Sequence, residues 1–373
     1  MELAAATAAS SLSQCTHSRE IPCRLHTADN RPQPPLTSRT MRILHPASCL
    51  ASVAHLWFEV AVVVGLAATV PAQQRETASP PASQTRRAVL VTGASSGIGR
   101  TTTELLTKHG FFVYATARKE ADLRELGALA DVQPIALDVT KPDQIDAAVK
   151  LVREAGRGLH GLVNNAGIAV MAPLIEVRDA DLLQQFEVNV LGVVRVTRAF
   201  APLLLESKGR VVTTGSLSGT VNWAMGGPYT MSKHAVEAFT DVLAMELQPF
   251  GVRVSIVEPG NYRSEIMAGM RQRLIDGGYG GKESRYERQI ARLIEQPTDR
   301  AQYPEPHDVA AAFLHALTDD QQKRRYLVVP NQREAELTIK AAIARVVQLN
   351  QEHAFSYDRD TLVRFLDDAL RTK

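Results

Sequence analysis

Seven short apolar runs alternate with longer amphipathic stretches between residues 86 and 330, and this alternation constrains the fold more than any other feature. The runs fall at 88–92, 111–116, 132–137, 161–164, 210–213, 252–257 and 326–329. Helical periodicity occupies 99–109, 142–155, 179–205 and 229–249 between them. A strand that is apolar on both faces has to be covered on both faces, and helices between successive strands supply that cover. The pattern predicts an α/β domain over residues 86–330, a doubly wound parallel seven-stranded sheet in three αβα layers. Periodicity resumes at 334–350 and 360–370, predicting a helical extension over 331–373 that either covers a pocket or caps the domain.

The first run leads directly into Thr92-Gly93-Ala94-Ser95-Ser96-Gly97-Ile98-Gly99 and then into a helix. In this strand–turn–helix setting each glycine has a physical role: Gly93 for a tight turn, Gly97 for close backbone approach to a pyrophosphate, Gly99 for helix–strand packing. The free N–H groups of Ser95, Ser96, Ile98 and their neighbours at a helix N-terminus suit phosphate. The sheet therefore reads as a Rossmann fold that binds a dinucleotide.

The end of the second strand selects the cofactor. Thr116 and Ala117 are not acidic, and Arg118 follows, with Lys119 beside it. A guanidinium there pairs with a 2′-phosphate and favours NADP over NAD; NAD remains the alternative if Arg118 stacks on adenine or faces water. Asp138, followed by Val139, ends the third strand where it can accept from the adenine amino group. Asn164-Asn165-Ala166-Gly167 offers small residues and amides to the adenosine side.

Thirteen residues separate Ser216 from Tyr229, and Lys233 lies four residues further on. Positions i and i+4 share a helix face. A Tyr–Lys pair there, with a Ser brought in from elsewhere, is a proton-transfer arrangement suited to a carbonyl or hydroxyl oxygen.

Together these motifs resemble the short-chain dehydrogenase/reductase family, in its compact branch, over about residues 88–329. The resemblance implies that Tyr229 is the general acid/base, that Lys233 lowers its pKa and binds the nicotinamide ribose, and that Ser216 polarises the substrate oxygen. It implies that Asn189 holds a relay water and that Pro259-Gly260 packs by the nicotinamide. Two positions depart from the family pattern: Gly215 stands where a Ser is frequent, and Ser264 where a Thr is common. The implied activity is interconversion of an alcohol and a ketone or aldehyde. The alternatives from other classes are a non-catalytic NAD(P)-binding regulator or scaffold, and a Rossmann-type methyltransferase, which the Tyr/Lys spacing disfavours. The resemblance also suggests a homodimer or homotetramer through the long helices after Asp179 and Tyr229.

The substrate side is expected from residues 217–228, the loop after Gly167, and the segment after Ser264. Trp223, Met225 and Met171 would make it partly apolar and fit a bulky, lipophilic alcohol or carbonyl. The long connection before the seventh strand, with Gly277-Gly278-Tyr279-Gly280-Gly281, reads as a lid.

Composition excludes other classes. With 42 Lys and Arg against 40 Asp and Glu, nothing favours nucleic acid. The three cysteines, Cys15, Cys23 and Cys49, precede the glycine motif and lack metal-ligand spacing. His109, His160, His234 and His315 lack it too, so no metal site is expected. Residues 1–85 read as a disordered or signal/anchor-like segment with a linker at 72–85. The cofactor places the protein in the cytoplasm, and the apolar stretch at about 50–70 offers export or membrane anchoring as the alternative.

Overall fold

The computed structural model describes residues 86–371 apart from Asp299. The N-terminal segment, its apolar stretch at about 50–70 and all three cysteines lie outside the described residues.

The strands are β1 (Ala88–Val91), β2 (Phe112–Ala117), β3 (Val132–Ala136), β4 (Gly161–Asn164), β5 (Arg210–Thr214), β6 (Arg253–Pro259) and β7 (Arg325–Val328). They form one seven-stranded sheet in the order β3-β2-β1-β4-β5-β6-β7, and every pair is parallel. Strand direction of growth reverses between β1 and β4, so a crevice opens beyond their carboxyl ends.

Alternate residues of β1 feed the two faces. Ala88 and Leu90 pack with Ile145, Val152, Phe200 and Leu204. These come from α3 (Pro142–Glu154) and α5 (Gly192–Ser207). Val89 and Val91 face Leu106, Leu126, Phe313 and Leu317, from α1 (Gly97–Lys108), α2 (Glu120–Gly127) and α9 (His307–Thr318). This is the three-layer architecture, and period-2 alternation along the strand produces it.

Three features differ from the sequence reading. The predicted helix over 179–205 is interrupted: α4 (Asp179–Phe186) passes through a π-turn at Glu187–Leu191 before α5 begins. This run is apolar enough to cross a membrane by composition, yet Val193, Val196, Phe200, Leu203 and Leu204 are buried within the domain. The long connection before β7 is not one lid. Its first part forms α7 (Ile266–Asp276) and α8 (Glu287–Glu295), and its last part is α9, a core helix packed on α1. The glycine stretch is also tethered, because Tyr279 donates to Asp181 at 2.6 Å and accepts from the Arg178 N–H at 3.0 Å.

α6 (Gly227–Leu247) crosses behind β5 and β6. The helical extension is present as α10 (Gln332–Leu349) and α11 (Arg359–Arg371). Asn331 caps α10 by accepting from the Glu334 N–H at 3.0 Å.

Glu258 of β6 is buried beside Glu237 of α6, with Arg325 of β7 against both. Burial, and then the Glu237 charge, push its carboxyl up to about 7. The folded state thus keeps a proton that the unfolded chain loses near the usual carboxylate pKa of about 4.3. Stability from this pair is complete at low pH and falls as pH rises towards about 7. Glu258→Gln should remove that fall, on the order of 2 kcal/mol or less. Thermal melts of both proteins at pH 5 and pH 8 test this, and parallel losses would show that the pair does not titrate there.

Candidate active site

The glycine turn is built by sterics and then fixed by hydrogen bonds. Gly93 has φ +63°, and a β-carbon there would lie 2.8 Å from the Ala166 Cα. Only glycine fits that turn. The Thr92 hydroxyl accepts from the N–H groups of Asn165 and Ala166 at 2.8 and 3.0 Å. The Asn165 side-chain amide donates to the carbonyls of Thr92 and Gly93, each at 3.0 Å. Asn164 turns the other way and donates to Thr197 at 2.8 Å. Both asparagine amides therefore hold the protein together; Asn164 points away from the cavity, and Asn165 lines it. Ser96 caps α1 with no side-chain cap bond, so its hydroxyl leaves the first N–H groups of the helix open.

Beyond the carboxyl ends of the strands lies a cavity of about 940 Å³. Gly93, Ser95, Ser96, Gly97, Ile98, Gly99, Arg118, Asp138, Val139, Asn165, Ala166 and Gly167 line it, as do Asn189, Ser216, Tyr229, Lys233, Pro259, Gly260 and Ser264. Every candidate residue thus converges on one space. Asp138 reaches it with one carboxylate oxygen already accepting from the Thr140 N–H and hydroxyl at 2.9 and 2.8 Å. Trp223 and Met171 also line the cavity. Met225 does not; it packs with Met270, Leu274 and Ile290 in the small apolar cluster of α7 and α8, which Tyr229 also joins.

Ser216 begins a tight turn at Leu217–Gly219 and is buried. Its hydroxyl shares a hydrogen bond with Ser218 and acts to lower the pKa of the Tyr229 phenol. Gly215 departs from the family for a local reason: a β-carbon there would approach the Ile256 Cδ1 at 2.8 Å and the Glu237 Oε1 at 3.0 Å.

Lys233 is buried one helical turn beyond Tyr229, with its Nζ 5.8 Å from the tyrosine ring centroid. The Nζ donates to the Thr214 carbonyl at 2.8 Å. Burial pulls the Lys233 pKa down to about 8, against the Glu237 charge. Burial raises the Tyr229 phenol, and what opposes it is the Ser216 hydroxyl and then the charge of Arg300.

Asn189 sits in the π-turn, where its side chain accepts from the Ile168 N–H at 2.9 Å. It donates to the Ile168 carbonyl and to Ser232 at 3.0 and 3.2 Å. Both of its amide hydrogens are used inside the protein, so any relay through this residue falls to its main chain.

Sequence reasoning missed Asn261, Arg273, Arg300 and Glu334, all of which line the cavity. Glu334 accepts from the Asn261 N–H and side-chain amide at 2.9 and 3.2 Å, so the extension braces the loop after β6. Asn331-x-x-Glu334 was visible as a helix-start pattern, but its reach to Asn261 was not. Arg273 lies on α7, and its pKa is lowered by burial and by the nearby Arg118 charge. Among the described residues no cluster of His, Cys, Asp and Glu could hold a metal ion.

The family model described as short chain dehydrogenase matches residues 87–274. The chain belongs to the short chain dehydrogenase family. It is 41% identical over 191 residues to human 17-beta-hydroxysteroid dehydrogenase type 6, covering 50% of this chain and 60% of that protein. The chain thus spans about three fifths of that relative's length. It is 34% identical over 265 residues to the mitochondrial D-beta-hydroxybutyrate dehydrogenase of Bos taurus, covering 64% of this chain and 76% of the relative. A solved short chain dehydrogenase/reductase from Burkholderia phymatum, in complex with NAD, superposes with a TM-score of 0.60 at 26% identity, over 73% of this chain and 98% of that one.

The glycine turn fits a nicotinamide dinucleotide because its strained backbone, close approach and open N–H groups are all present. Asn165→Ala should remove two bonds to the turn carbonyls. The expected cost is about 1–3 kcal/mol of stability, with nucleotide affinity weakened about tenfold. Denaturant unfolding and NADPH fluorescence titration read the two effects, and unchanged affinity would show that the amide does not hold the turn.

Proposed function

We propose that this chain is an NADP(H)-dependent oxidoreductase that interconverts an alcohol and a ketone or aldehyde, with Tyr229 as general acid/base. The observation that carries this is that Ser216, Tyr229 and Lys233 line the same cavity that the glycine turn enters. A substrate oxygen placed between the two hydroxyls accepts a hydrogen bond from Ser216 and exchanges a proton with Tyr229. When bound, the nicotinamide supplies the hydride to the carbon, or accepts it. Lys233 is held on the Thr214 carbonyl beside the phenol and brings a positive charge to that oxygen at neutral pH. The Asn189 main chain, displaced in the π-turn, is our candidate for passing the proton on to solvent.

The preference for NADP rests on Arg118 at the end of β2. Arg273 supports it, because two guanidinium groups near one another on a cavity wall are relieved by an anion between them. The Burkholderia phymatum neighbour is in complex with NAD, so NAD is the alternative. The names of the human and bovine relatives span a steroid and a short hydroxy acid, and the fold alone therefore leaves substrate class open. Oligomerisation would use the outer faces of α5 and α6, where Leu205, Val242 and Met245 stand exposed.

Tyr229→Phe should lower kcat by about 10²–10⁴-fold while leaving NADPH affinity within about twofold. Steady-state rates and fluorescence titration check both, and surviving activity would reassign the acid/base. Arg118→Asp should weaken NADPH binding by about tenfold or more and leave NADH nearly unchanged. Equal losses for both cofactors would remove the 2′-phosphate assignment.

A further inference from the structure

Arg300 is an expensive residue to keep where it is. It lies between α8 and α9, is only 8% exposed, and lines the cavity. Its φ is +51°, in the left-handed region that side chains rarely adopt. One terminal nitrogen, Nη2, donates to the Asn261 Oδ1 at 2.8 Å, and the guanidinium lies 4.4 Å over the Tyr303 ring. Its Nε is buried and has no hydrogen-bond partner. Among the described residues no carboxylate forms an ion pair with it. A buried guanidinium with one donor unpaired, and with the Glu334 charge reaching it only through Asn261, is unfavourable unless something else supplies negative charge beside it.

The surroundings fix where that charge would sit. Glu334 takes both N–H donors of Asn261, which leaves the Asn261 Oδ1 turned to Arg300. Asn261 follows Pro259-Gly260, at the end of β6. Arg300 and Tyr229 line the same cavity, and the Arg300 charge acts on the phenol. The cofactor phosphates have donors of their own, in the open N–H groups of the glycine turn and in Arg118. The cavity wall also carries apolar side chains, among them Met171, Trp223, Met267, Leu293 and Leu337.

We infer that Arg300 anchors a carboxylate on the substrate, which is therefore an oxo or hydroxy acid with an apolar body. This rests on the oxidoreductase reading and narrows it. The carboxylate accepts from Nε and from a free N–H of the terminal nitrogens, while Asn261, braced by the extension, holds the fork at its angle. Arg300 selects the substrate and takes no part in the proton transfer.

The test uses the full chain with NADPH and two matched ketones, 5-oxodecanoate and its methyl ester. The expected result is that the acid is preferred in kcat/KM by about tenfold or more. Arg300→Gln should raise KM for the acid by a similar factor, leave the ester within about twofold, and leave NADPH affinity unchanged. Arg300→Lys should recover part of the loss. Three outcomes overturn the inference: equal use of acid and ester by the unaltered protein; a loss common to both, with a shifted pH–rate profile, which would make Arg300 a tuner of Tyr229; or weakened NADPH binding, which would make it a phosphate clamp. Should the variants fail to fold, calorimetry of decanoate against decanamide on the unaltered NADPH complex decides, and equal or absent binding of decanoate overturns it. Reduction of neutral ketones alone sinks the carboxylate anchor, whereas reduction of no carbonyl at all sinks the oxidoreductase reading.

Discussion

The Thr92 hydroxyl is the contact on which the site depends. It sits where β1 gives way to the glycine turn, donates to the Val163 carbonyl at 3.3 Å, and accepts two N–H groups from the strand alongside. A turn with positive φ and no side chains has many other conformations available to it. The threonine and the Asn165 amide exclude them by tying the turn to β4 at the point where the sheet changes its direction of growth. The open helix terminus, the crevice and the cavity behind it all follow from that tie.

Burial then sets the electrostatics. Tyr229, Lys233 and Glu258 all lose solvent, and each shifts towards its neutral form: the phenol and the carboxyl up, the amine down. Positive charge on the cavity wall is accordingly divided. Lys233 is partly discharged by its surroundings and is held by Thr214, while Arg300, whose pKa is also lowered by burial, still carries a full charge at neutral pH. The cavity therefore sets guanidinium groups that keep their charge among apolar side chains.

The sheet was legible because each strand is apolar on both faces, and the glycine turn because its spacing follows a strand. α9 was not legible: Ala311, Ala312 and Leu314 are apolar off the buried stripe of Val309, Ala310, Phe313, Ala316 and Leu317, and they blur its periodicity. The π-turn in 187–191 was hidden for the opposite reason, since the helical pattern runs through it unbroken. Tyr229 and Lys233 were legible by their spacing within one helix. Arg300 and Glu334 carry no such mark. Their meaning comes from a loop and a helix start being brought to Asn261, a contact spanning 73 residues on the Glu334 side.

That long-range brace has a consequence for the order in which the protein is made. Tyr229 and Lys233 leave the ribosome well before Arg300, and Arg300 before Glu334. The loop after Pro259 has its brace only once Glu334 has been made, so this part of the cavity wall is completed late in translation.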